Sequence, residues 1–261
     1  MDDKFFDRMD EALTGWRDPV AQLREMLEKD ALVLYCQPIR ALSGPPGYPL
    51  AEMLVRMGAE EKALLPPGDF LPVFEHYRMM PQLDRWVVRH VAQRLARGSR
   101  VPELSINVSS QTFDDPEFPA FFEAQVKSAG VAARSILFEI DESDALARPE
   151  AAVRFAAAVK AVGGGLMIDG FGRRAVSFAV LKTLRVDYIK VDGAITRKLL
   201  TSDAASAKMK AVVRVAEVIG AGVIAEFVED PDVLVRLKAL DVGYAQGFGV
   251  YQPHPLDSVL G

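Results

Sequence analysis

The sequence predicts an α/β fold, a modified TIM-type (β/α)8 barrel, and three observations carry that prediction. Eight short apolar runs with strand character recur along the chain. Helical patterns separate most of them. Polar residues recur at the ends of successive runs, where barrels of this kind build their sites. The chain has 261 residues, half of them hydrophobic and 26% charged, which is enough for one large core.

The first thirty residues read as helical and amphipathic. Phe5, Phe6, Met9 and Leu13 fall at helical spacing, and Pro19 opens a second helix carrying Leu23, Met26 and Leu27. We therefore expect a helical extension over residues 1–30, packed on the core, and a barrel domain over residues 31–261. The strand patterns are Leu32–Ile39, Ala51–Met57, Leu104–Val108, Ile136–Ile140, Leu166–Ile168, Tyr188–Val191, Val223–Phe227 and Gly243–Val250. Only the turn Ser43-Gly44-Pro45-Pro46-Gly47 separates the first two. A parallel crossover needs more chain than that, so these two strands should pair antiparallel. Helical patterns cover Asp69–Leu95, Pro116–Ala129, Pro149–Val162, Ala175–Leu184, Ala204–Ile219 and Pro231–Leu240. Gly163-Gly164-Gly165 precedes a strand and reads as a helix stop, not as a phosphate-binding loop.

Composition narrows the function. A formal net charge of -5 argues against a DNA or RNA polymer as partner. The start, Met1-Asp2-Asp3-Lys4, lacks the basic and apolar segments of a signal peptide, and no apolar run approaches the roughly 20 residues that span a bilayer. A single cysteine, Cys36, excludes an intrachain disulfide and reads as a core residue. The expectation is a cytoplasmic chain with no membrane partner.

The polar residues at the strand ends are Glu52, Asn107, Glu139, Asp169, Lys190 with Asp192, Glu226 and Gln246. A lone carboxylate in an apolar strand is usually a paired structural group, but recurrence on strand after strand points to a site. Inward carboxylates need counter-charge, from Lys190 or from a divalent cation. Three carboxylates and an amide favour a hard ion such as Mg²⁺, Mn²⁺ or Ca²⁺, and His76, His90 and His254 do not fall at zinc-ligand spacing. These residues alone also fit a metal-dependent lyase or aldolase, since a fold does not fix its chemistry.

In order and spacing these motifs resemble the EAL domain family of bacterial cyclic-di-GMP phosphodiesterases, from about Leu32 to Pro255. The name-giving motif reads Glu52-Met53-Leu54-Val55-Arg56 here. Gln37-Pro38-Ile39, Asn107, Glu139-Ile140-Asp141-Glu142-Ser143, Lys190-Val191-Asp192, Ala225-Glu226-Phe227-Val228-Glu229 and Gln246-Gly247-Phe248 are similar to the other family motifs. The resemblance implies a first metal ion, Mg²⁺ or Mn²⁺, held by Glu52, Asn107, Glu139 and Asp169. It implies that Lys190 contacts the attacking water or a metal-bound oxygen. Glu226 is implied as general base or as part of a second metal's surroundings, and Gln246 as support for that network. Arg56 would grip a ligand phosphate, and Gln37 and Leu54 would line the guanine and backbone contacts. The implied reaction is hydrolysis of one phosphodiester bond of cyclic-di-GMP to linear pGpG, in bacterial second-messenger signalling.

One stretch departs from the family pattern. Where the family has two aspartates in a row, this chain reads Asp169-Gly170, followed by Phe171-Gly172-Arg173-Arg174-Ala175. The resemblance makes the residue lost at Gly170 a ligand of the second metal, so that second site is in doubt and the active site looks degenerate. It makes Glu142 the anchor of the loop, which here could pair with Arg173 or Arg174. The expectation is a domain that binds cyclic-di-GMP with hydrolysis weak or lost. An active phosphodiesterase and a nucleotide-independent scaffold are the alternatives. A homodimer, and a protein partner reached by the N-terminal helices, stay open.

Overall fold

The structure, a computed structural model, describes residues 18–57, 67–173, 178 and 180–261, with the side chains of Pro67 and Asp69 left aside. The helical expectation for Phe5, Phe6, Met9 and Leu13 lies outside these residues, as do Arg174 and Ala175. The first described helix, α1 (Pro19–Glu28), begins where Pro19 predicted it. Proline at its first position has no N–H to leave unpaired, and the Asp18 carboxylate accepts the Ala21 N–H at 3.0 Å. Leu23 is buried, and Met26 and Leu27 pack against the main core.

Eight strands close a barrel. They are β1 (Leu32–Ala41), β2 (Leu50–Met57), β3 (Glu103–Asn107), β4 (Ile136–Asp141), β5 (Gly165–Phe171), β6 (Tyr188–Val191), β7 (Gly222–Ala225) and β8 (Tyr244–Ala245). A short ninth, β9 (His254–Pro255), adds to β1. The order is β2-β3-β4-β5-β6-β7-β8-β1-β9, and the additional β2–β1 pairing closes the ring. The β1–β2 pair is antiparallel, as the short turn predicted, with Gln37 opposite Glu52. Pairings from β2 through β8 are parallel, and β8 meets β1 antiparallel.

Two boundaries differ from the sequence pattern in ways that shape the site. The last strand was predicted over Gly243–Val250 but stops at Ala245. Beyond it the backbone turns and packs against Val228 and Glu229, where Val228 N–H donates to the Gln246 carbonyl at 2.9 Å and Gly249 N–H to the Val228 carbonyl at 3.0 Å. A Cβ at Gly247 would lie 2.3 Å from Val228 backbone atoms, so only glycine permits that approach. Likewise β7 ends at Ala225, before the predicted Phe227, because Phe227 adopts a φ of 53°. The single helix expected over Asp69–Leu95 is two, Pro67–His76 and Met80–Leu95, broken where Arg78 takes a φ of 54°.

Alternation along the strands builds the interior. Ile39, Leu50, Leu137, Met167 and Ile224 form one buried cluster inside the barrel, with Tyr188 and Tyr244 packed on it. A larger cluster lies between the strands and the surrounding helices and includes Cys36, whose thiol burial pushes up to about 12. Side chains repeat every second residue on a strand face. The residues two positions along from that inner layer are Gln37, Glu52, Glu139, Asp169, Lys190, Gln246 and Glu226. The polar layer therefore stacks directly on the apolar one, toward the C-terminal ends of the parallel strands.

Candidate functional site

Lys190, 1% exposed, stands at the centre of the polar layer. Its Nζ donates to Glu52 Oε2 at 2.8 Å and to Glu139 Oε2 at 2.7 Å, and lies 3.8 Å from Glu226 Oε1. Glu139, also buried, accepts a short hydrogen bond from the Ser105 hydroxyl through its other oxygen. Asn107 Nδ2 donates to Glu52 Oε1 at 2.8 Å, and Gln246 Nε2 donates to Glu52 Oε2 at 2.7 Å. Gln246 also donates to Gln37 Oε1 at 3.1 Å, and Gln37 in turn to the Tyr251 carbonyl at 2.9 Å. Register explains the convergence: Gln37 faces Glu52 across β1 and β2, Glu52 faces Ser105, and Asn107 faces Glu139.

The charges do not balance. Four carboxylates, those of Glu52, Glu139, Asp169 and Glu226, raise the affinity of Lys190 for its proton, against a burial that works to lower it. Burial, with the charge of Glu52 beside it, pushes Glu139 up to about 8, and burial pushes Glu226 up to about 8 as well. Burial also raises Asp169. Glu52 alone ends below its ordinary value: burial works against it, but the Lys190 charge and three hydrogen bonds from Lys190, Asn107 and Gln246 outweigh burial. Asp169 Oδ1 is buried without a hydrogen-bond partner. An orphaned carboxylate oxygen and all-oxygen donors suit a hard divalent cation. Among the described residues, no three His, Cys, Asp or Glu side chains are grouped as metal ligands. The ammonium of Lys190 lies between two of the carboxylates and serves as their counter-charge.

Beside this layer opens a cavity of about 350 Å³. Gln37, Glu52, Leu54, Arg56, Glu226 and Gln246 line it, so the residues singled out from sequence for ligand contact share one space. Arg56 donates to the Val55 carbonyl at 2.9 Å and stands over the Tyr35 ring, 5.8 Å from its centroid. Phe227 and Phe248, 50% and 62% exposed, also line the cavity and are exposed aromatics at its rim.

Of the two partners the sequence offered Glu142, Arg174 lies outside the described residues and Arg173 does not pair with it. Glu142 Oε2 accepts the Gly172 N–H at 3.0 Å. Arg173 donates instead to Asp141 and Asp192, one N–H of its fork to each. Ser105, Asp141 and Phe227 were not singled out from sequence. Ser105 had a usable signal, since it sits two residues before Asn107 and hence on the same face of β3. The partnership of Asp141 had none, because a loop side chain creates it.

A barrel with an inverted first strand pair, a lysine-centred carboxylate layer and an arginine at the adjoining cavity defines the class. Residues 20–253 match the EAL domain model, and the chain belongs to that family. It is 28% identical over 259 residues to the cyclic di-GMP phosphodiesterase PdeB of Shewanella oneidensis, covering 97% of this chain and 30% of that protein. The FimX EAL domain from Pseudomonas aeruginosa bound to c-di-GMP superposes with a TM-score of 0.83 at 26% identity, covering 90% of this chain and 96% of that one. The FimX EAL domain of Xanthomonas citri in complex with c-diGMP gives 0.84 at 25% identity, with 98% of each chain covered. The chain spans about a third of the length of the curated relatives it matches. Among the described residues no helix is long and apolar enough to cross a membrane.

Proposed function

We propose that this domain binds cyclic-di-GMP as a receptor, with hydrolysis weak or lost. The observation that carries the binding is the convergence of Gln37, Leu54, Arg56 and Gln246 on one cavity beside Glu52. The solved FimX relatives carry c-di-GMP on the same fold. Arg56 is suited to a phosphate because its fork forms two charge-assisted hydrogen bonds with a pair of oxygens. Gln37, fixed by Tyr251 and Gln246, presents a held amide toward the ligand. The weak turnover follows from Gly170, which contributes no side-chain oxygen beside Asp169.

The donor set of Glu52, Asn107, Glu139 and Asp169 would hold one Mg²⁺ or Mn²⁺ ion. Such an ion supplies Lewis acidity and lowers the pKa of a bound water. Lys190 holds Glu52 and Glu139 in place and stays charged among them. Glu226, pushed up to about 8, exchanges its carboxyl proton near neutral pH, as a general base or acid must. That carboxylate, still 3.8 Å from the Lys190 ammonium, favours a second reading in which the domain turns over cyclic-di-GMP to pGpG.

Calorimetric titration with cyclic-di-GMP, run beside a pGpG assay in Mg²⁺ and in Mn²⁺, tests the two readings. Binding that falls at least tenfold in Arg56→Ala, without product, supports the receptor. Product whose formation needs Glu52 and Glu226 supports the enzyme. No binding in any condition overturns both and leaves a protein-interaction scaffold.

A further inference from the structure

The turn after β5 places Arg173 across the ends of three neighbouring strands. Its Nε donates to Asp192 Oδ2 at 2.9 Å and its Nη1 to Asp141 Oδ2 at 3.0 Å. Asp141 ends β4, and Asp192 follows β6. Each aspartate already uses its other oxygen as a helix cap: Asp141 Oδ1 accepts the Ser143 and Asp144 N–H groups, and Asp192 Oδ1 accepts that of Ala194. The guanidinium bridging them lies over β5 at residue 170. A Cβ at Gly170 would meet Arg173 Nη2 at 2.5 Å and Cζ at 2.9 Å. Gly170 also has a φ of 63°, a conformation that side chains rarely adopt. The missing side chain at 170 and the arginine three residues later are thus two halves of one arrangement.

A planar fork suits two carboxylates in this way, whereas a Mg²⁺ ion demands near-octahedral oxygens at about 2.0–2.1 Å. Both aspartates have their oxygens committed to the fork and to helix caps. We propose that Arg173 is a resident cation that takes the place of a second divalent ion at this edge of the site, so that the chain binds at most one metal ion. The inference rests on the reading that Glu52, Asn107, Glu139 and Asp169 form the first metal site. Arg173 acts as a positioning residue. It supplies fixed charge between Asp141 and Asp192 and ties the turn after β5 to its neighbours, but it cannot activate a water as a metal ion does.

Counting Mn²⁺ per folded chain, by equilibrium dialysis with metal analysis, tests this. The wild type is compared with Gly170→Asp, Gly170→Asp/Arg173→Ala and Gly170→Asp/Arg173→Lys. Adding a carboxylate beside Asp169 while the guanidinium stays should leave the count at one. Removing the guanidinium as well should raise it to two, and lysine, which keeps a charge there, should hold it at one. A second Mn²⁺ in the wild type or in Gly170→Asp overturns the proposal. So does a Gly170→Asp/Arg173→Ala variant that keeps its circular dichroism yet gains no ion. Should that variant fail to fold, Gly170→Asp still decides: the proposal stands if its count stays at one and falls if it reaches two. A wild type with no Mn²⁺ removes the first-site reading, while the gain of one ion between Gly170→Asp and the double variant would still support a resident cation.

Discussion

Lys190→Met should be the most costly single change in the polar layer, and the cost should grow with pH. Methionine keeps most of the stem's volume, so the perturbation is chiefly loss of the charge. That charge sits 2.8 Å from Glu52 and 2.7 Å from Glu139, with 1% of the lysine exposed. Breaking a buried pair by removing one partner costs about 3–5 kcal/mol, because the remaining charge is left uncompensated. For a chain of this size that corresponds to a fall in Tm of roughly 6–20 °C. The sign with pH follows from which carboxylates can discharge. Glu139 and Glu226, at about 8, already hold protons at neutral pH, while Glu52 is kept ionised by Lys190. Without the ammonium, burial raises the folded-state pKa of Glu52 above its unfolded value. Stability is then lost as pH rises, by about 1.4 kcal/mol for each unit of the shift. Urea denaturation in chelator-treated buffer at pH 5.5 and pH 8.5 should therefore show a small deficit at the lower pH and the full deficit at the higher. Millimolar Mn²⁺ should restore more stability to the variant than it adds to the wild type. A deficit under about 1 kcal/mol at pH 8.5, or one independent of pH, would refute the reasoning.

Three other outcomes can be checked separately. Asp84 is buried, accepts from Ser109 N–H and the Thr112 hydroxyl, and is pushed by burial to about 7. Its folded pKa lies above the unfolded one, so it costs the wild type stability as pH rises from about 4 to 7, at up to about 1.4 kcal/mol per unit. Denaturation midpoints of Asp84→Asn, which keeps an accepting oxygen, should depend less on pH over that range, and an unchanged slope would count against this account. At Phe227, with its φ of 53°, glycine should be more stable than alanine by roughly 1 kcal/mol in urea titrations, the reverse of the usual order. Glu142→Ala should speed hydrogen exchange at the Gly172 amide, which loses its 3.0 Å acceptor, at a cost of about 1–3 kcal/mol; unchanged protection there would mean the contact holds nothing.

What was legible in the sequence is what strand geometry repeats. Glu52, Glu139, Asp169, Lys190, Glu226 and Gln246 could be placed together because each lies two residues beyond an inner-layer position on its own strand. The antiparallel opening was legible because the turn at residues 43–47 is too short for a crossover. The early ends of β7 and β8 were not legible, since they depend on Val228 donating to the Gln246 carbonyl and on close approaches that Gly247 and Gly249 permit. Nor was the partner of Arg173. Sequence put two arginines in a loop and offered Glu142 as their partner, while the fold set Asp141 and Asp192 on either side of β5.

The two buried-layer and loop cations therefore divide the site between them. Lys190 is borne by a strand and neutralises the inner carboxylates whether or not a metal ion is present. Arg173 is borne by a turn and engages the outer pair, Asp141 and Asp192. On the proposed receptor reading, nucleotide binding would need only the first arrangement together with Arg56. On the same reading hydrolysis would need in addition a second cation able to activate a water, and a guanidinium, always protonated and with no acceptor, cannot take that role. Substitution at 170 alone should thus leave turnover near the wild-type level, because the added carboxylate meets Arg173 before it can meet a metal ion.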